Sequence, residues 1–385
     1  MKQNTFQNYT KSAFYAVFIL VFTGLKAQED EKKPAFHFNG SVDAYYRSNL
    51  NGLNSSVPIL EAGEETGTIP VAAPGTSFAN DTGFALGMIN LIGSYEGKKV
   101  GFVADLVFGP RGEDAVFGSV GSSNIINQLY VYWNVSETVT LTLGNFNTFL
   151  GYEVISPVGN FNYSTSYMFS YGPFSHAGIK ADFALGADWT AMLAVMNQTD
   201  FTAFNPVSDL SFGAQLGYKG QYLNLLFGRQ GIDKVLVDGE LQEPDIASLF
   251  QIDYTGGFDI TEDFYLGINA TYQDTGDVGY DEDTPDIGFY GIALYPQYKT
   301  SDRFTLGLRG EYFAEKGNFG AIGTEVEDSS VFALTLTGNV SIGKLDIKPE
   351  IRFDNASDDS IYFLNKDLES QNSLASVLLA AVFSF

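Results

Sequence analysis

The chain of 385 residues contains no cysteine. That excludes a disulfide framework, a thiolate metal site and lipid attachment through cysteine. Histidine is nearly as scarce, with only His37 and His176. Nucleophilic catalysis of the Ser-His kind needs a histidine held by a third group beside its serine. Ser175 adjoins His176 in sequence, but neighbouring strand residues point to opposite faces. No Gly-rich phosphate loop with its lysine is present either, so neither an enzyme nor a cofactor is expected. Positive charge is also short: 21 Lys and Arg face 46 Asp and Glu, a net charge of −25. Nucleic acid needs a basic surface and is not an expected partner. Long apolar runs are missing as well. The longest, residues 13–25, has about 13 residues, too few to span a bilayer as a helix.

What that run offers instead is a targeting segment. Lys2 and Lys11 precede it, and Ala27 supplies a small residue before Gln28. Residues 1–27 therefore read as a signal peptide, and residues 28–34 as a short charged periplasmic lead. If the mature chain enters a membrane, it must do so as a closed barrel, because only helices and closed barrels satisfy every backbone group in lipid.

Glycine (41), tyrosine (22) and phenylalanine (33) are plentiful, as twisted strands with aromatic belts require. About 16 strand candidates follow from residue 35, near 35–48, 84–96, 99–109, 124–135, 138–146, 175–185, 188–197, 210–219, 221–230, 246–257, 263–273, 286–299, 303–313, 329–341, 343–353 and 374–385. Their connections alternate between short turns and long loops, the arrangement of outer-membrane barrels, with turns in the periplasm and loops outside. The expected fold is all-β: one antiparallel transmembrane barrel over residues 35–385, of 16 strands with 14 as the alternative.

The strands alternate in chemistry. Leu345, Ile347, Pro349, Ile351 and Phe353 oppose Asp346, Lys348, Glu350, Arg352 and Asp354; Phe304, Leu306 and Leu308 oppose Arg309 and Glu311; Phe36, Phe38 and Val42 oppose Asp43 and Arg47. In a membrane barrel the apolar set meets lipid. Asp43, Arg47, Arg309, Glu311, Asp346, Lys348, Glu350 and Arg352 then line the lumen, with Glu311 and Glu350 pairing in a ladder with Arg309, Lys348 and Arg352. Pro349 cannot donate to a ladder and predicts a bulge. The final strand ends on Phe385, with Phe383, Ala381, Leu379 and Val377 on one face. That ending resembles the signal read by the outer-membrane assembly machinery.

Residues 147–174 form an unusually long connection. It is crowded with aromatic residues, and Glu153 is its one charged residue. Such a loop has to bury surface, and the barrel wall is nearest. It is expected to fold inward and narrow the pore, with Tyr152, Glu153, Tyr163 and Tyr167 at the constriction. Glu153 would face Lys348 and Arg352, or Lys180 at the loop's root.

Two segments, "LTLGNFNTFLGYE" (141–153) and "NFNYSTSYMFSYGPFSHAG" (160–178), resemble the hallmark of the OmpL-like β-barrel porins of outer membranes. Where that family often carries a basic residue, this chain has Asn145 and Thr165. The resemblance implies a transport role and supplies no catalytic residues. A homotrimer is expected only by analogy with other porins.

Nearly the whole net charge of −25 falls in the eight long loops. An acidic mouth attracts cations and could bridge to lipopolysaccharide through divalent ions. Asp281, Asp283 and Asp286 have oxygen ligands for Ca²⁺ but no EF-hand spacing. The expected function is passive diffusion of small hydrophilic solutes with a mild cation preference. The competing expectations are a surface-binding barrel with a blocked lumen, and a channel for hydrophobic substrates.

Overall fold

The computed structural model describes residues 34–61, 63–237, 239–243, 246–276 and 286–385. Residues 1–27, read as a signal peptide, residues 28–33 of the expected lead, and Asp281 and Asp283 lie outside them. Among the described residues, sixteen strands close into one antiparallel barrel. They are β1 (Ala35–Asn49), β2 (Gly83–Glu96), β3 (Val100–Phe108), β4 (Ile126–Ser136), β5 (Val139–Asn147), β6 (Ser175–Gly186), β7 (Trp189–Met196), β8 (Ser211–Tyr218), β9 (Gln221–Gln230), β10 (Ala247–Asp259), β11 (Phe264–Gly276), β12 (Ile287–Ser301), β13 (Phe304–Lys316), β14 (Ser330–Ile342), β15 (Leu345–Ser360) and β16 (Gln371–Ser384). The 14-strand alternative is set aside.

Short turns gather at one rim and long loops at the other. The loop after β1 carries a hairpin, Val57–Glu61 with Glu64–Ile69, and the loop after β9 carries another, Val235–Val237 with Glu240–Gln242. The loop after β3 contains helix α1 (Pro110–Ala115), and the loop after β5 contains α2 (Tyr167–Tyr171). No helix among the described residues is long and apolar enough to cross a membrane.

The two-residue period decides which face meets lipid. Phe36, Phe38, Leu306, Ile351, Phe353, Leu379 and Phe383 are exposed on the outside, while Asp43, Arg47, Arg309 and Arg352 are buried inside. Tyr272, Tyr290, Tyr312 and Phe332 stand on neighbouring strands as an exposed outward row. This is an aromatic girdle of the kind that sits at a membrane interface.

Pro349 makes no bulge. Thr337 pairs with Glu350 and Val340 with Ile347, so the β14–β15 register is unchanged across the interruption. The missing amide is accommodated by leaving rungs unpaired, and Gly338 lies beside the proline ring.

The barrel closes by pairing β1 with β16, Ser41 opposite Ser384 through Asn49 opposite Ser376. Beyond the strand, Phe385 and Gly40 exchange both backbone hydrogen bonds, 3.0 and 3.2 Å. The Phe385 ring covers Gly40, where a Cβ would stand 2.5 Å from the ring and 2.6 Å from the Asn90 carbonyl oxygen. Gly40→Val is expected to cost about 1–3 kcal/mol by overpacking this seam, read as a lowered urea midpoint in lipid vesicles. An unchanged midpoint would mean that the seam does not depend on this contact.

Candidate functional site

The loop between β5 and β6 lies inside the barrel. A buried loop of this length has more backbone donors and acceptors than its own turns can satisfy. The wall supplies the partners. Asp253 accepts from the Gly151 amide at 3.0 Å. Glu350 accepts from the amides of Tyr163 (3.0 Å) and Ser164 (3.3 Å), and from the Thr337 hydroxyl at 2.8 Å. Glu311 accepts from the amides of Tyr167 (2.9 Å) and Met168 (2.8 Å). These are the open amides of α2's first turn, which Ser166 caps through the Phe169 amide. A carboxylate suits that end of a helix.

Cations take the loop carbonyls. Lys348 donates to Pro157 and Asn160, at 3.1 and 2.5 Å. Arg352 donates to Thr165 at 2.8 Å and grips Asp354. Arg111, from α1, donates to Ile155 and Tyr163 at 2.9 and 3.2 Å, and stacks over Phe78 at 4.4 Å. Arg47 instead serves the loop after β1, donating to Ala72 and Asn80 at 3.2 and 2.7 Å.

Glu153 and Arg309 meet at 2.7 Å, with side chains 3% and 0% exposed. The second Glu153 oxygen accepts from the amide and hydroxyl of Ser166. Arg309 also donates to the Ser164 carbonyl at 2.6 Å and the Thr335 hydroxyl at 3.1 Å.

Several expectations are corrected by this geometry. Arg309, Glu311, Lys348, Glu350, Arg352, Asp43 and Arg47 do not face open pore water; they are buried against loops. Glu311 and Glu350 bind loop amides rather than completing a ladder with the neighbouring bases. Glu153 pairs with Arg309, not with Lys348, Arg352 or Lys180. Lys180 stays on the wall, 2.7 Å from Asp182. Tyr163 and Tyr167 are fully buried, with Tyr163 donating to Asp43 at 2.5 Å. Tyr152 is half-buried, bonded to the Tyr265 hydroxyl at 3.1 Å and stacked on Tyr295 at 4.3 Å. Asp346 stays half-buried near the short-turn rim, where Ser341 donates to it at 2.7 Å. Asp286 lies 3.6 Å from Lys316, and no metal-holding cluster occurs among the described residues. His176 is buried with Thr148 at 3.0 Å as its partner, and no serine is bonded to its ring among the described residues.

The composition of the wall hides one further feature. Glycines on inward strand positions receive the loop's large side chains: Gly213 takes Phe149, Gly267 takes Tyr152, Gly307 takes Phe161 and Gly291 takes Met168. A Cβ at any of them would fall inside ordinary contact distance of the inserted group. Scattered strand glycines were the available signal, but a sequence does not say which loop residue lies opposite each.

At its far end the loop is tied by Asp200, which accepts from the amides of Phe174 (2.7 Å) and Ser175 (2.9 Å). Burial pushes this carboxyl up to about 6. Beneath the loop, toward the short turn at Lys219 and Gly220, a cavity of about 310 Å³ stays open.

A sixteen-stranded barrel with an infolded loop after β5 is a porin architecture, and a family model agrees. The model described as putative beta-barrel porin-2, OmpL-like, matches residues 35–385. The chain belongs to this OmpL-like porin family. As a member, it is a channel of the bacterial outer membrane and not an enzyme. No curated protein sequence matches it. Among solved structures, this porin is similar to the outer-membrane channel DcaP of Acinetobacter baumannii, with a TM-score of 0.56, 12% identity, and 94% and 100% of the two chains covered. The anion-selective porin from Comamonas acidovorans has a TM-score of 0.50 and 16% identity, covering 92% and 100%. Salmonella typhi OmpF, in complex with daunomycin, also reaches 0.50, at 10% identity over 91% and 97%. At such identities the likeness concerns the fold alone.

Removing one partner of a buried pair leaves the other charge uncompensated, typically at about 3–5 kcal/mol. Glu153→Gln is therefore expected to destabilise this porin by that order, with faster proteolytic cleavage inside residues 148–174. Adding Arg309→Met should recover part of the loss. A Glu153→Gln protein as stable and as resistant as the parent would show that the pair does not hold the loop.

Proposed function

We propose that this porin passes small hydrophilic solutes by passive diffusion, with a mild preference for cations, and that residues 148–174 set the width of the path. The carrying observation is the fate of the lumen's positive charge. Arg309 and Arg352 are matched by Glu153 and Asp354; Lys348 and Arg111 are consumed by loop carbonyls; Lys180 is paired with Asp182. Paired with carboxylates, Arg309, Arg352 and Lys180 present little net charge to an anion.

The long-loop rim carries charge of the other sign. A polar cavity of about 270 Å³ there is lined by Asp81 and Asp114 with Tyr45, Asn80 and Arg111. Burial, together with Asp81 and Glu113 nearby, raises the Asp114 carboxyl, as crowded acids at a partly desolvated mouth require. Such a field concentrates cations, and salt screens it within about 8 Å at physiological ionic strength.

The outward apolar band would face lipid or, in a homotrimer, two further copies. The acidic loops would meet lipopolysaccharide through divalent cations. The last strand would be the part read by the assembly machinery. A surface-binding barrel with a sealed lumen is the second reading, favoured by how much of the wall the infolded loop covers.

Purified protein in a planar bilayer separates the two. Stepwise conductance with a reversal potential on the cation side, shrinking as salt rises, is the expected result. Silence in the bilayer would favour the sealed barrel, and clear anion preference at low salt would overturn the charge assignment.

A further inference from the structure

The cavity beneath the infolded loop differs in chemistry from the rest of the lumen. Its volume of about 310 Å³ is at the small end of the range for small-molecule sites, about 300–1,000 Å³. The loop contributes Phe149 and Tyr152, and the wall contributes Gln215, Tyr222, Thr255 and Tyr265. These side chains come from the loop and from β8, β9, β10 and β11, so they converge from opposite sides of one space. Tyr222 is 36% exposed, within the lumen near the short-turn rim.

No unpaired charge reaches this space. Glu153 borders it, but its oxygens are engaged by Arg309 and Ser166. What remains is aromatic surface and neutral hydrogen-bonding groups. The Gln215 amide is anchored by Asn224 at 2.8 Å, which fixes its direction. Tyr222 and Thr255 bring hydroxyls to the lining beside it. Such hydroxyls can both donate to and accept from an occupant.

We infer that this cavity is a subsite for an uncharged, hydroxyl-rich ring, a pyranose of a neutral saccharide, during its passage. A pyranose has two apolar C–H faces, which suit aromatic rings, and equatorial hydroxyls that both donate and accept. An ion would lose its hydration here with no counter-charge to replace it. A wholly apolar solute would take the Tyr222 and Thr255 hydroxyls out of water and offer them no partner. The assignment deepens the porin reading and rests on it for access to the site.

The test uses the full chain and two readouts, with glucose and its disaccharide maltose as probes and gluconate as the charged comparator. In a planar bilayer, either neutral sugar should reduce the ion current in a saturable way, and gluconate should not. Tyr222→Ala and Gln215→Ala should each weaken half-saturation roughly tenfold without lowering the open conductance. Isothermal titration of the same sugars into detergent-solubilised protein reads binding without conduction. A conducting channel with neither block nor titration heat overturns the subsite and leaves the porin function standing. A silent bilayer with sugar heat lost in Tyr222→Ala supports the subsite and overturns the porin function. Block that is the same in the parent and both variants also overturns the subsite.

Discussion

Everything inside this barrel depends on how the backbone of one buried loop is satisfied. The connection between β5 and β6 has one short helix and little other regular structure, yet it is enclosed by the wall. Each of its buried amides and carbonyls would cost a desolvation penalty if left alone. The wall answers with groups of the right sign: Asp253, Glu311 and Glu350 for amides, Arg309, Lys348 and Arg352 for carbonyls, with Arg111 added from α1. The Glu153–Arg309 contact is the one place where the loop returns a full charge. A buried pair adds little net stability compared with an apolar replacement. What it does here is positional: it ties the loop's one carboxylate to β13.

The same arrangement accounts for the electrical character proposed for the channel. A buried base paired with a carboxylate, as Arg309 is with Glu153, presents little net charge to passing ions. The inner wall therefore looks heavily charged in sequence, yet offers solutes mostly neutral and aromatic surface beneath the loop. The excess negative charge stays at the long-loop rim. In the proposed channel, selectivity and solute contact fall at different levels, the first at the mouth and the second beneath the infolded loop.

Much of the fold was legible because a barrel wall is a regular code. Phe36, Phe38 and Val42 against Asp43 and Arg47 show a period of two, and the long and short connections alternate through the chain. Strand bounds follow to within a few residues, except that β15 runs on to Ser360 and β16 begins at Gln371. The inward fold of residues 148–174 was also legible, since so aromatic a loop had to bury itself. The partners were not. Alternation places Arg309, Lys348 and Arg352 inside but cannot say whether water or a carbonyl faces them. The sequence pattern matches Glu153 to Lys348, Arg352 or Lys180, and only the path of the loop across the lumen brings it to Arg309 instead. The receiving glycines were invisible for the same reason: Gly307 means a socket only once Phe161 is known to lie opposite.

The central claim is that this loop, held by the wall's charges, governs what passes. Deleting residues 155–170 and measuring single-channel conductance with the size limit for uncharged solutes tests it most directly. The account predicts that both rise in a barrel that still folds, as checked by its resistance to unfolding in detergent. A folded deletion protein with unchanged conductance and an unchanged size limit would contradict it.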